Sequence, residues 1–367
     1  MTRMPTAPMA LRPSDRPVPT RPRACPFRPV LTAMSLGTAL LAACGGDDSP
    51  RRDVLAYLAD EVMLPAEREL ADAAAAVTTA TRAVCAGQDL APAQAAWGAL
   101  HSAWNRTGAF SFGPVVEQKQ ASALDFWPAR PDSIEAAITG APATIDAAYV
   151  DGLGTGAKGM PALEYLLFSA PAPTPGPRCD FMTELAADIE QRTGEIADAW
   201  QDSHAEALRS AGHGSAVYPS EKAGLDAVVN ASIEGLYRVV KTKLDRPLGN
   251  ITGSDPDGAL VESAFSGRGL DDIAADLDGF ERVYAGDGLA TLVIAQNPEL
   301  DPRIVAQLAA ARTALAAVPP PLQLSVETDR NAVQALRDEV DALRRLIKLD
   351  VASLLGVTLS LSDNDGD

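Results

Sequence analysis

One segment of the sequence places a carboxylate where burial is costly. Glu164 stands among large apolar residues at positions 163–168, and Gly159 and Pro161 precede it. Pro161 is suited to the first turn of a helix, where its missing N–H costs little. A buried carboxylate needs a cation, a hydrogen-bond donor or a raised pKa. Alternatively, Glu164 only stabilises the free N–H groups of the helix start. The residues by themselves leave both interpretations open.

The spacing of the three histidines does not predict a metal site. His101, His204 and His213 are not paired with one another or with a glutamate at metal-ligand spacing. The sequence also contains no HExxH, P-loop or GxSxG motif. We therefore expect each histidine to be an ordinary polar residue.

The first 43 residues predict a secretory signal peptide. Residues 1–29 are rich in proline and arginine, and residues 30–43 form an apolar run that is too short to span a bilayer comfortably. The run ends in Leu41-Ala42-Ala43-Cys44, an order typical of a bacterial lipobox, in which the cysteine is acylated and becomes the first residue. The alternative is an ordinary cleavage site with an incidental cysteine.

The lipobox interpretation predicts where the protein resides. Cys44 would anchor the chain to a lipid bilayer, and residues 44–52 would form a flexible tether. Gly45, rather than aspartate, follows the cysteine and permits sorting to the outer membrane. We expect a periplasm-facing lipoprotein of the bacterial cell envelope, anchored in the outer membrane.

Two cysteines remain after the signal and the anchor. Cys85 and Cys179 would be exported into an oxidising compartment. Such a pair is more often a disulfide than two free thiols. We expect a Cys85–Cys179 disulfide.

The overall charge argues against one class of partner. The 367 residues carry 49 acidic and 31 basic side chains, for a formal net charge of −18. A surface this acidic repels phosphate backbones. We expect no nucleic-acid partner.

Apolar residues recur at helical spacing through most of the chain after residue 53. Ser220 is placed to cap a helix, Asp301 and Pro302 predict the start of another, and Gly356 predicts the end of the last long one. No alternating segment rich in valine and isoleucine competes with this pattern. The sequence therefore predicts an all-α protein built from helical bundles.

A break rich in proline divides the helical part. Residues 169–178 contain four prolines and one glycine, which favour an extended crossing. We expect an N-terminal helical bundle over residues 53–178 and a C-terminal helical bundle over residues 179–367.

Four segments together resemble the imelysin family. They lie in order at residues 104–114, 124–128, 159–168 and 354–359, so the resemblance covers essentially the whole chain after residue 53. It implies a pseudo-repeated pair of helical bundles, export, frequent lipid anchoring and a link to bacterial iron uptake. The family was named for a proposed peptidase.

The resemblance also implies a site, with one departure. The family's GxHxxE motif is represented by Gly159 and Glu164, but Pro161 replaces its histidine. Proline offers no lone pair to a metal, so Glu164 would need ligands from elsewhere to hold one. The resemblance implies that Asp125 and Trp127 are the neighbours of Glu164 in a pocket between the bundles. Arg130 is a further candidate for the lining of this pocket.

The leading functional hypothesis is an envelope-anchored lipoprotein that binds a ligand, a metal ion or a partner in bacterial iron acquisition. The cofactor, if one exists, would be iron or another divalent cation, and the partners would include iron-transport proteins. With Pro161 in the motif, we expect no catalysis. The alternatives are a metallopeptidase of the imelysin type, which requires a metal with an open position and a base, and a structural adaptor in the envelope.

Overall fold

The computed structural model describes residues 49–169 and 173–360, and within these ranges every regular element is a helix. The helices before the proline-rich break are α1 Pro50–Tyr57, α2 Leu64–Cys85, α3 Ala91–Thr107, α4 Pro114–Glu117, α5 Ala121–Leu124, α6 Pro131–Thr139, α7 Ala147–Asp151 and α8 Gly159–Phe168. Those after it are α9 Pro177–Ala199, α10 Ala205–Arg209, α11 Glu221–Arg238, α12 Gly269–Tyr284, α13 Leu289–Gln296, α14 Leu300–Ala317, α15 Leu322–Thr328, α16 Arg330–Arg345 and α17 Ala352–Leu355. The all-α prediction is confirmed.

Shorter helical turns connect several of these helices. Wider π-helical turns cover Leu58–Met63, Trp200–His204, Val239–Asp245 and Leu346–Val351, and 3₁₀ turns cover Gly108–Phe110, Thr155–Ala157 and Gly258–Leu260. Turns of the π type often occur at functional sites, and the turn at Val239–Asp245 carries a buried lysine described below.

Two of the three predicted helix ends agree with the structure, and one does not. The Ser220 hydroxyl accepts a hydrogen bond from the Ala223 N–H at 3.1 Å, and Gly356 closes α17 with a φ of 68°. Both residues have the capping roles that the sequence predicts. Asp301 is not a cap, because α14 already begins at Leu300. Its carboxylate instead accepts a hydrogen bond from the Tyr284 hydroxyl at 2.9 Å.

Helix α3 organises the part of the core that matters for function. It contacts α2, α8 and α12, and α2 also packs along α9. Trp97 and Leu100 of α3 are completely buried in these contacts. Burial of a large apolar side chain stabilises the fold by about 1.5–3 kcal/mol, so this packing fixes α3 firmly among its neighbours.

Several predictions about the ends of the chain lie outside the described residues. They concern the signal peptide over residues 1–43, the Cys44 anchor and the tether up to residue 48. The last three residues of the tether predicted over 44–52 are not flexible linker, because α1 already begins at Pro50. Among the described helices, none is both long enough and apolar enough to cross a membrane. The division into bundles over 53–178 and 179–367 stays a prediction. Helix α9 begins at Pro177, two residues before the predicted second bundle, and contacts both α2 and α8.

Candidate functional site

His101 lies at the centre of a buried group of charged side chains. It follows Trp97 by one helical turn on α3, and the two rings stack with their centroids 4.8 Å apart. The Trp97 indole N–H donates to the Met160 carbonyl at 3.0 Å, which ties α3 to the start of α8. Only 1% of His101 is exposed, so its ring nitrogens must find partners within the protein.

Three carboxylates surround the His101 ring. Nδ1 lies 2.9 Å from Oδ1 of Asp272 on α12. On the other side of the ring, Nε2 lies 3.8 Å from Oδ1 of Asp125 and 3.9 Å from Oε1 of Glu262. The contact with Asp272 fixes the orientation of the ring, and Nε2 is thereby directed toward the other two carboxylates.

Asp125 is held by one of its two carboxylate oxygens. It follows α5 directly, and its Oδ2 accepts a hydrogen bond from the Trp104 indole N–H at 2.9 Å. Its Oδ1 has no hydrogen-bond partner although it is buried. A buried oxygen without a donor is costly, so Asp125 is a strong candidate for contact with a ligand.

Lys243 supplies the positive charge nearest to this group. Its Nζ lies 2.7 Å from Oε2 of Glu262 and 2.6 Å from Oδ2 of Asp276. It also donates to Oδ1 of Asn105 at 2.7 Å. These contacts fix the position of Glu262 and leave its other oxygen directed toward His101.

The environment shifts the pKa of several of these groups. Burial lowers the pKa of His101, but the charges of Asp272 and Asp125 outweigh this effect and hold the pKa well above its usual value. Burial alone would raise the pKa of Asp272, yet the interaction with His101 lowers it. Burial raises the pKa of Glu262 to about 8, against the opposing charge of Lys243.

Glu164 lies beside this group and is itself buried. It is 3% exposed, and its Oε1 accepts a hydrogen bond from the Ser266 N–H at 2.8 Å. Burial raises the pKa of Glu164 to about 7, although the hydrogen bonds from Ser266 oppose that change. The structure therefore agrees with the interpretation of Glu164 as a buried carboxylate that needs a hydrogen-bond donor. The donor is the backbone N–H of Ser266, which is 102 residues away in the sequence.

A cavity of about 290 Å³ brings these groups together. Its polar wall is formed by His101, Asp125, Glu164, Glu262 and Ser263. Its apolar wall includes Trp97, Trp127, Pro161 and Phe265. An apolar enclosure with a few convergent polar groups is typical of a small-ligand site.

Residues 63–349 match the Imelysin family. The matched segment is 287 residues long and covers more than half of the chain. The chain belongs to the imelysin family. It is 28% identical over 327 residues to iron-regulated protein A of Synechococcus elongatus, a match that covers 83% of this chain and 88% of that protein.

Two solved structures share the imelysin fold. One is a protein from Parabacteroides distasonis that is described as an iron-regulated protein A precursor. It has a TM-score of 0.74 and 20% identity, over 85% of this chain and 97% of that one. An imelysin-like protein from Psychrobacter arcticum has a TM-score of 0.73 and 19% identity, with the same coverage of 85% and 97%. These structures establish the fold of this chain as that of an imelysin.

Four of the six site residues expected from the sequence line the cavity: Asp125, Trp127, Pro161 and Glu164. Gly159 lies just outside it, at a φ of 79° where a Cβ would be 2.5 Å from the Leu124 carbonyl oxygen. Its role is to let α8 approach the end of α5, next to Asp125. The guanidinium of Arg130 lies 5.3 Å from the centre of the Phe126 ring and is not part of the cavity wall.

The sequence pattern did not predict a site role for four of the buried charged residues. It also predicted that His101 is an ordinary polar residue. The unrecognised residues are Lys243, Glu262, Asp272 and Asp276. One usable signal was present: Trp97, His101 and Trp104 recur at helical spacing along one face of α3. The other histidines have separate environments. His204 lies 2.9 Å from the Tyr218 hydroxyl, and His213 lies 3.1 Å from Oε1 of Glu221.

Cys85 and Cys179 form a disulfide in the structure, with their Cα atoms 5.6 Å apart. The bond joins the last residue of α2 to the first turn of α9. It therefore crosslinks two helices that pack along each other and lies apart from the cavity residues.

Proposed function

We propose that this imelysin is an exported, lipid-anchored protein of the bacterial cell envelope that serves iron acquisition by binding a small ligand in the cavity. The observation that carries the proposal is the burial of His101, Glu164 and Glu262 on one wall of that cavity, beside Asp125, whose side chain is 9% exposed. Burial of so many ionisable groups is costly unless they are paired or engage a ligand. Such a site suits a small, positively charged ligand better than an extended peptide.

The comparisons support the iron-related part of the proposal. The matching relatives from Synechococcus elongatus and Parabacteroides distasonis are both described as iron-regulated protein A. We infer that this chain acts in the same physiological setting. The proposal includes no catalytic step, because Pro161 replaces the histidine of the GxHxxE motif.

The envelope part of the proposal rests on the N-terminal sequence. The segment Leu41-Ala42-Ala43-Cys44 would attach the protein to the outer membrane, facing the periplasm, where it could deliver its ligand to iron-transport partners. Cys44→Ser should move the protein from the membrane fraction to the soluble periplasmic fraction. Unchanged membrane partition of this variant would refute the anchor.

Growth under iron limitation tests the cellular role. A deletion strain should grow more slowly than its parent when iron is chelated, and the wild-type gene should restore growth. Glu164→Gln removes a charge from the cavity wall while keeping nearly the same shape, and we expect it to restore growth poorly. Glu299→Gln changes an exposed glutamate at the start of α14 and serves as the control. Equal growth of the deletion strain and its parent over a range of iron concentrations would contradict the proposed role.

A further inference from the structure

We propose that Nε2 of His101, Oδ1 of Asp125 and Oε1 of Glu262 bind one divalent transition-metal cation, of which Fe²⁺ is the member that fits the proposed function. This inference rests on that function and deepens it by naming the ligand atoms. It replaces Glu164, the metal ligand expected from the sequence, by three residues from separate segments of the chain. Glu164 would remain a wall residue of the same cavity.

The three atoms are spaced for a cation. One ligand atom from each of the three side chains lies within 4.8 Å of the other two, and Nε2 is 3.8 Å from Asp125 Oδ1 and 3.9 Å from Glu262 Oε1. Ligands about 2.0–2.1 Å from a metal lie roughly 3–3.4 Å apart in tetrahedral or octahedral geometry. Small side-chain rotations would therefore close the site around an ion.

Each ligand is oriented by a second residue. Asp272 holds Nδ1 of His101, the arrangement that directs the opposite ring nitrogen to a metal in carboxylate–histidine–metal sites. Trp104 donates to Oδ2 of Asp125 and leaves Oδ1 for the ion. Lys243 contacts Oε2 of Glu262 and leaves Oε1 on the side of His101.

An unpartnered oxygen points independently to a ligand. The side chain of Asp125 is 9% exposed, and its Oδ1 has no hydrogen-bond partner. This atom is also the one that lies near His101 Nε2. A cation between the two would satisfy a buried oxygen that the protein leaves without a donor.

The ligand types favour one class of metal. An imidazole suits iron, zinc, nickel and copper, whereas carboxylates suit harder ions such as manganese, magnesium and calcium. One imidazole with two carboxylates therefore favours Fe²⁺, Mn²⁺ or Zn²⁺ over Ca²⁺. All three residues line the 290 Å³ cavity, so further positions on the ion would be open to water or a small chelator.

Binding to the full chain purified in detergent tests the site directly. Isothermal titration with Fe²⁺ under anaerobic conditions, and with Zn²⁺, Mn²⁺ and Ca²⁺, should show one equivalent of a transition metal and weaker binding of Ca²⁺. Co²⁺ should give visible absorption bands characteristic of nitrogen and oxygen ligation. Absence of binding by Fe²⁺, Zn²⁺ and Mn²⁺ would overturn the site.

Two near-isosteric variants identify the ligands. Asp125→Asn and His101→Gln should each weaken transition-metal binding about tenfold or more, as loss of a ligand does. Asp125→Asn keeps an oxygen for Trp104, so it is the variant least expected to disturb folding, and far-UV circular dichroism would verify this. The matched control is His213→Gln, which changes a histidine in an exposed turn outside the cavity. Unchanged affinity in folded Asp125→Asn would overturn the assignment.

The outcomes separate this inference from the proposed function. If Asp125→Asn loses metal binding and also fails to restore growth under iron limitation, both are supported. If the wild-type protein binds no transition metal while the gene still supports growth under iron limitation, the cation site is wrong and the cellular role stands. Metal binding in a protein whose deletion has no effect on iron-limited growth would leave the site in place and remove its role in iron acquisition.

Discussion

His101 and Asp272 are 171 residues apart in the sequence, yet His101 Nδ1 lies 2.9 Å from Asp272 Oδ1 in the core. Helices α3 and α12 contact each other, and this packing brings the two side chains together. Asp272 is completely buried. The pair therefore links the assembly of the fold to the orientation of the imidazole at the cavity.

The first prediction concerns this pair. Asp272→Asn removes the negative charge beside His101 and should lower the free energy of unfolding by about 3–5 kcal/mol, the cost of breaking a buried ion pair from one side. Urea denaturation followed by circular dichroism measures the change. Asp287→Asn, on an exposed turn, should change stability by about 0.5 kcal/mol or less. Equal stability of Asp272→Asn and the wild type would show that the pair contributes nothing to the fold.

Helical periodicity predicted the fold class because it depends on residues near one another in sequence. The same holds for the cap at Ser220, whose hydroxyl contacts a backbone N–H three residues later. Asp301 shows the limit of such local rules. A tyrosine hydroxyl 17 residues away bonds to its carboxylate, which a rule based on adjacent residues does not include.

The candidate site could be predicted only in part for the same reason. Resemblance brought Asp125, Trp127, Pro161 and Glu164 to one place, and the structure puts all four on the cavity wall. The lysine that contacts Glu262 and the aspartate that orients His101 could not be found this way. Lys243 and Glu262 are 19 residues apart, and His101 and Asp272 are 171 residues apart, so no helical spacing records these contacts.

The second prediction concerns Gly159. A Cβ at this residue would lie 2.5 Å from the Leu124 carbonyl oxygen and 2.6 Å from that of Ala123, and φ is already 79°. Gly159→Ala should therefore combine a steric clash with backbone strain and lower the free energy of unfolding by about 2–4 kcal/mol.

Gly87 provides the matched control for this change. Its φ is 91°, but nothing lies within 4 Å of the position a Cβ would occupy. Gly87→Ala should show only the conformational cost, about 1–2 kcal/mol. Chemical denaturation of both variants measures the difference. An equal loss of stability in the two would mean that the close approach of α8 to α5 does not constrain Gly159.

The third prediction concerns the disulfide. Cys85 and Cys179 are separated by 94 residues, so the crosslink should restrict the unfolded chain strongly. Replacing both cysteines by alanine should lower the free energy of unfolding by about 2–5 kcal/mol. Thermal unfolding of the variant and the oxidised wild type measures this. Two free thiols in exported wild-type protein, titrated under denaturing conditions, would show that the bond does not form in the cell.

The fourth prediction concerns Glu67, a second buried carboxylate outside the cavity. It is 3% exposed, its Oε2 has no hydrogen-bond partner, and burial raises its pKa from 4.5 to about 8. Between these values the folded protein binds a proton that the unfolded chain has released. Stability from this residue is therefore present below pH 4.5 and is lost as the pH rises toward 8.

Glu67→Gln should remove this pH dependence, because the amide does not ionise. One pKa unit corresponds to about 1.4 kcal/mol, so relative to the variant the wild type should lose on the order of 4 kcal/mol between about pH 5 and pH 8. Urea unfolding at several pH values measures the difference. Glu61→Gln changes an exposed glutamate nearby and should retain the pH dependence of the wild type. Parallel stability profiles for Glu67→Gln and the wild type would show that Glu67 is ionised in the folded protein, with a cation or water beside it that supports the charge.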